Sequence, residues 1–151
     1  MVVLKKYIGK FLLASILFFS IISCKGQKIN PQDYNGIYQT GEIGTIFYLK
    51  SDSTQVFNVI RKDGIHINQF KSSELIFQNS TPMLAITLTA IGKTQLDSLT
   101  AKNIKKPLPI IFNDTLYSAP LVQERIQGGR LIISGFKNLE EITKIQKLIA
   151  N

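Results

Sequence analysis

The sequence predicts an α+β fold, an antiparallel-rich sheet with two helices packed on one face, preceded by a β-rich N-terminal portion. Three observations carry that expectation. From residue 82 onward, apolar runs follow the order strand, helix, strand, strand, strand, helix, and turn or cap residues mark the changes. Between residues 34 and 79, short β-branched and aromatic runs alternate with turn residues. Near the end, Leu139, Ile142, Ile145, Leu148 and Ile149 recur at helical spacing. With 151 residues, 44% of them hydrophobic, the chain can bury the core of one small domain. The expected boundaries are 1–23 for a signal segment, 24–33 for a tether, 34–80 for the β-rich portion and 81–151 for the α+β portion. Residues 34–151 are expected to form one compact body.

The first segment reads as a secretory signal. Lys5, Lys6 and Lys10 form its positive start, and Phe11 to Ile22 is an apolar run too short for a comfortable membrane span. Cys24, the only cysteine, follows Ile21-Ile22-Ser23, and this run resembles the bacterial lipobox. The resemblance implies a lipoprotein: the thiol is diacylated with palmitate-type chains, and cleavage makes Cys24 the new amino terminus. The alternative is a free thiol at the end of an uncleaved anchor. No disulfide can form within the chain. Residues 25–33 are polar, carry Gly26 and Pro31, and read as an extended tether. With no aspartate directly after Cys24, resemblance to lipoprotein sorting favours the outer membrane over the inner, facing the periplasm. Loss of three lysines with the signal lowers the formal net charge from +8 to +5. The remaining cations cluster only at Arg61-Lys62, Lys102 to Lys106 and Lys144 to Lys147, without interleaved aromatics. They read as solvated faces with a modest attraction for anionic headgroups, and no nucleic-acid partner is expected.

In the β-rich portion the strand runs are Thr45 to Leu49, Gln55 to Ile60 and Ile65 to Ile67, with turn residues at Ser51-Asp52-Ser53. Asp63-Gly64 reads as a hairpin turn joining Val56 to Ile60 with Ile65 to Ile67. Leu75 to Phe77 adds one more short strand. The pattern leaves open whether these strands extend the later sheet or form a neighbouring one.

Pro82 to Leu88 is the next strand, and Thr89 can cap a helix from Ala90 to about Asn103. Ile91, Leu96 and Leu99 give that helix a partial apolar face. Gly92 costs it about 1 kcal/mol relative to alanine, so its stability must come from packing. Leu108 to Phe112 and Thr115 to Ser118 are β-prone runs separated by Asn113-Asp114, a pair that tolerates positive φ and predicts a tight hairpin. Pro120 lacks a backbone donor, so pairing should stop there while Leu121 to Gln127 crosses to another strand. Gly128-Gly129 supplies the re-entry turn into Leu131 to Ile133. Asn138 before Leu139-Glu140-Glu141 makes a capping box for the closing helix, with acids at its positive end and Lys144 and Lys147 toward its negative end.

The order of these pieces resembles the head subdomain of the first periplasmic domain of the SecD/SecDF protein-export family. The residues that carry the resemblance run from Leu88-Thr89-Ala90-Ile91-Gly92 through Tyr117-Ser118-Ala119-Pro120, Gln123-Glu124-Arg125-Ile126 and Gly128-Gly129 to Ile133-Ser134-Gly135. It covers Pro82 to Ile149. The resemblance implies a surface for emerging polypeptide or for Sec or other envelope proteins. Leu121, Gln123, Glu124, Arg125 and Arg130 are the candidate partner-binding residues, and exposed strand edges are a second candidate. No second apolar run after Cys24 approaches a membrane span, so the family's proton coupling is not implied.

Chemistry is sparse. His66, the only histidine, lies in an expected strand opposite Ile65 and Ile67 and reads as solvent-facing. Ser118 has no nucleophile signature, and Asp114 already has a task in its turn. Gly128-Gly129-Arg130 lacks the lysine and hydroxyl of a nucleotide loop. No catalytic residue, metal or cofactor is expected, and the reading is of a non-enzymatic binding module. The alternative is a periplasmic lipoprotein that binds a small ligand or an envelope component, unrelated to translocation.

Overall fold

A computed structural model describes residues 34–150. The expected signal, the lipidation site at Cys24 and the whole of the tether lie outside the described residues. The chain runs β1 (Gly36–Leu49), β2 (Asp52–His66), a 3-10 turn (Ile67–Gln69), β3 (Phe70–Gln78), β4 (Thr81–Leu88), α1 (Ala90–Lys102), β5 (Ile110–Phe112), β6 (Thr115–Ser118), β7 (Arg130–Ile133) and α2 (Leu139–Ala150).

The strands form two sheets. One has the order β2-β1-β5-β6 and the other β3-β4-β7. Pairing is antiparallel throughout, apart from a parallel contact of Leu49 with Leu116. The hairpin β5-β6 therefore joins the β-rich portion, while β7 crosses to the outside of β4.

β1 and β2 form one long, irregular hairpin. Its turn lies where Leu49 faces Asp52, so Asp63-Gly64 is not the hairpin turn expected from sequence. Ile65 pairs back to Ile37 and Ile60 to Gln39, and residues 61–64 bulge between them. Asp63 takes φ 63 there. Gly64 is needed because a Cβ would stand 2.4 Å from the Tyr38 ring. A bulge and a tight turn both ask for a residue tolerant of positive φ beside a glycine, which is why the two read alike in sequence. A second excursion, residues 41–44, leaves β1 between Thr40 and Thr45, which both face Val59.

Helix α1 starts as its cap predicts: the Gly92 amide donates to Thr89 Oγ1 at 3.1 Å. Its glycine is explained by a close approach, because a Cβ at Gly92 would lie 2.9 Å from the Gln69 carbonyl oxygen. Gln69 also accepts from the Thr89 amide at 2.9 Å and the Thr89 hydroxyl at 2.7 Å, fastening the helix start to the 3-10 turn. Leu96, Leu99 and Thr100 are buried, whereas Ile91, expected on the apolar face, is exposed. In α2, Ile142 and Ile145 are buried, Leu148 and Ile149 are partly buried, and Leu139 is half exposed. Both helices bury side chains in the same core as Leu84 and Ile86 of β4 and Ile133 of β7. These residues face inward on paired strands, so the helices cover one face of the three-stranded sheet. A smaller cluster of Tyr34, Tyr38, Phe47, Val59, Ile111 and Leu116 fills the other side of the four-stranded sheet.

Candidate functional site

After β6 the chain doubles back along the segment that follows α1. Lys105 N donates to Val122 O at 2.8 Å, Val122 N to Lys106 O at 3.0 Å and Leu108 N to Pro120 O at 3.0 Å, with Pro107 bridged to Leu121. The result is a short ribbon of residues 105–108 against 120–122. Pro120 ends β6 and still contributes its carbonyl, which needs no donor of its own.

Beneath and beside this ribbon lies an apolar cleft of about 300 Å³. Ile37 of β1, Ile110 of β5, Leu96 of α1 and Leu131 of β7 contribute from four elements, and Leu108, Pro120, Leu121, Val122 and Ile126 from the ribbon and crossover. Gln123 and Glu124 supply its polar wall. Leu121 is 51% exposed, so part of the apolar lining meets solvent. The cleft is thus formed where the two sheets and α1 converge, with the crossover as one wall.

The crossover is pinned to α1. The Ile126 amide donates to Thr100 Oγ1 at 2.9 Å, and that fully buried hydroxyl donates to Leu96 O at 2.8 Å. Arg125 forms a forked pair with Asp97, one arm of which is Nη2 to Oδ2 at 2.6 Å. The Arg125 hydrogen bonds hold the Asp97 carboxyl below its ordinary range, against the opposing effect of burial. Asn103, buried at the end of α1, donates through Nδ2 to Leu99 O at 2.8 Å and to Gln39 Oε1 at 3.4 Å. Gln39 in turn donates to the Lys62 carbonyl at 3.3 Å. This chain of contacts ties the β2 bulge to the segment that begins the ribbon.

The candidate residues from sequence therefore separate. Leu121, Gln123 and Glu124 line the cleft. Arg125 is engaged by Asp97, and Arg130 lies on the other face of the β3-β4-β7 sheet, paired with Glu74 at 3.2 Å. Asn113 and Asp114 take φ 45 and 56 in the turn between β5 and β6. The chain bends at Gly128 and Gly129, but neither has positive φ. A Cβ at Gly128 would meet open space and one at Gly129 only ordinary contact with Lys93, so the chain re-enters β7 here without requiring glycine. Positive φ falls instead at Gly36 and Gly135. His66 is half-buried rather than solvent-facing, edge-on to the Tyr38 ring with Nδ1 3.4 Å from its hydroxyl. Sequence reasoning did not single out Ile37, Leu96, Leu108, Ile110 and Leu131 as cleft residues, because an apolar side chain in a cleft wall has the same local signature as one in the core. Among the described residues, no group of three or more His, Cys, Asp or Glu is placed to hold a metal.

Comparison with known proteins adds the family. The profile described as SecDF, P1 head subdomain, matches residues 45–151. It reaches back well before Pro82, into β1, so β2 and β3 fall within it as well. The chain is 34% identical over 104 residues to the protein translocase subunit SecD of Calditerrivibrio nitroreducens, covering 68% of this chain and 19% of that protein. It is 32% identical over 68 residues to SecDF of Thermus thermophilus, covering 45% of this chain and 9% of the relative. The chain thus spans about a fifth or less of the relatives it matches. Among solved structures, that of the membrane component SecDF that enhances protein export aligns with a TM-score of 0.64 at 18% identity, over 76% of this chain and 60% of that one. The super-membrane-facing form of SecDF aligns with a TM-score of 0.63, over 76% of this chain and 18% of that one. These two establish the shared fold.

Proposed function

The chain belongs to the SecDF P1 head subdomain family, and on that premise we propose that it acts by binding, holding an extended polypeptide segment in the apolar cleft during protein export or envelope biogenesis. The head faces the periplasm, and no chemical transformation is part of its role. The cleft is the observation that supports this reading: an open apolar hollow of about 300 Å³ is the size of one or two large side chains and is walled partly by a ribbon with exposed Leu121. Emerging polypeptide has unsatisfied apolar side chains, and burial of each in such a hollow contributes about 1.5–3 kcal/mol before the costs of ordering. Weak, reversible capture suits a module that must release its client.

A photo-activatable crosslinker at Gln123 tests this in cells. Translocating chains or Sec components should appear among the products, and their yield should fall when Leu121→Asp places a charge in the cleft. Products limited to other envelope proteins, or a yield indifferent to Leu121→Asp, would favour a ligand-binding lipoprotein unrelated to translocation.

A further inference from the structure

One end of the ribbon that walls the cleft is basic. Lys102 ends α1, Lys105 and Lys106 exchange backbone hydrogen bonds with Val122, and Lys62 is brought near them through Gln39 and Asn103. All four lysines are exposed. None takes part in an ion pair among the described residues, whereas Lys50, Arg125, Arg130 and Lys144 all do. Acids are few here: Asp63 shares a small polar pocket with Lys102, and Glu124 lies on the cleft wall. Placing Lys102 at the C-terminal end of a helix complements the helix dipole, but that reason does not extend to Lys105, Lys106 or Lys62.

We propose that the cleft selects polypeptide segments in which an apolar anchor is followed within a few residues by aspartate or glutamate. This inference rests on the reading of the cleft as a polypeptide site and adds its charge preference. An extended chain advances about 3.3 Å per residue, so side chains two or three positions from the anchor lie within roughly 10 Å of it. That is comparable to the screening length of about 8 Å at physiological ionic strength, so lysines at the ribbon's end act on those positions. Acids there are attracted, and lysine or arginine there is repelled.

The experiment uses the full chain in detergent micelles and three fluorescent peptides. All share one Leu-Ile-Val-Leu anchor, followed by two glutamates, two glutamines or two lysines, and binding is read by anisotropy. The glutamate peptide should bind about tenfold more tightly than the glutamine peptide at low salt, and the lysine peptide more weakly than either. The differences should collapse in 0.5 M salt. The variant K102Q/K105Q/K106Q should lose the discrimination while keeping the glutamine peptide's affinity, which also reports that the exposed substitutions leave the fold intact. Equal binding of the three peptides would overturn the charge preference and leave the polypeptide site standing. Failure of all three to bind would overturn the polypeptide site itself. If the lysines instead govern association with phosphatidylglycerol vesicles and leave peptide discrimination unchanged, the patch is a lipid contact and the inference fails.

Discussion

Gly135 takes φ +98, and a Cβ added there would stand 2.7 Å from the Tyr117 carbonyl oxygen. Both the left-handed backbone and the close strand approach exclude a side chain, since an L-residue is strained in that region and the obstacle is backbone rather than a flexible tip. Gly135→Val should therefore cost about 1–3 kcal/mol, read as a lowered midpoint in urea unfolding. Gly128→Val should cost little, because nothing lies within 4 Å of a Cβ there and φ is not positive. Equal losses in the two variants would contradict the assigned conformations. In the sequence alone, the demand for glycine falls on the Gly128-Gly129 doublet. A doublet advertises itself, whereas the lone Gly135 gains its importance from β6, a strand distant in sequence that local pattern cannot bring beside it.

At the scale of elements, ion pairs hold the pieces in register. Lys50, in the β1-β2 turn, donates to Glu141 Oε1 at 2.6 Å and lies 4.3 Å from the centre of the Tyr117 ring, so the start of α2 is tied to the four-stranded sheet. Glu141 also closes the α2 cap: its amide donates to Asn138 Oδ1 at 3.1 Å, and its carboxylate accepts from the Lys137 amide at 2.9 Å, one residue further back than the capping box expected from sequence. Burial works to raise the Glu141 carboxyl, but the Lys50 and Lys137 contacts outweigh it and the net shift is downward. Asp97 is likewise shifted down, chiefly by Arg125. A carboxyl depressed only in the native state binds more protons when unfolded, so its stabilisation is complete above about pH 5 and is lost as pH falls through the native value. Glu141→Gln should thus melt several degrees below wild type at pH 7, and the gap should narrow as pH falls below the ordinary glutamate range. A gap that stays constant with pH would show that the ionised pair contributes nothing. The cap and the β5-β6 hairpin were legible because Asn138, Asn113 and Asp114 act on neighbours a few residues away. The division into two sheets was not, since pairing β1 with β5 and β4 with β7 leaves no trace in the local alternation of either strand. For the same reason the sequence locates the crossover at Leu121 to Gln127 but not the walls that Leu96 and Ile110 bring to the cleft from distant elements.

At the scale of the molecule, the described residues contain no helix long and apolar enough to cross a membrane. The proposed attachment is through Cys24, outside the described residues. Diacylation supplies what a single chain cannot, because one acyl chain gives marginal, reversible binding whereas two give stable anchoring. A lipid at Cys24 would hold the cleft near the bilayer, where a weak site meets clients at raised local concentration. Two consequences follow for cells fed labelled palmitate. The wild-type chain should carry label and sediment with membranes, and Cys24→Ser should carry none and retain the segment that cleavage would remove, making it larger on a denaturing gel by roughly twenty residues. The same variant separates anchoring from binding: crosslinking from Gln123 should weaken in cells as the local concentration falls, while the affinity of the cleft for a peptide in micelles should be unchanged. Label persisting in Cys24→Ser, or an unlabelled wild-type chain, would remove the lipid anchor and with it the confinement argument, leaving the cleft's own affinity as the sole source of capture.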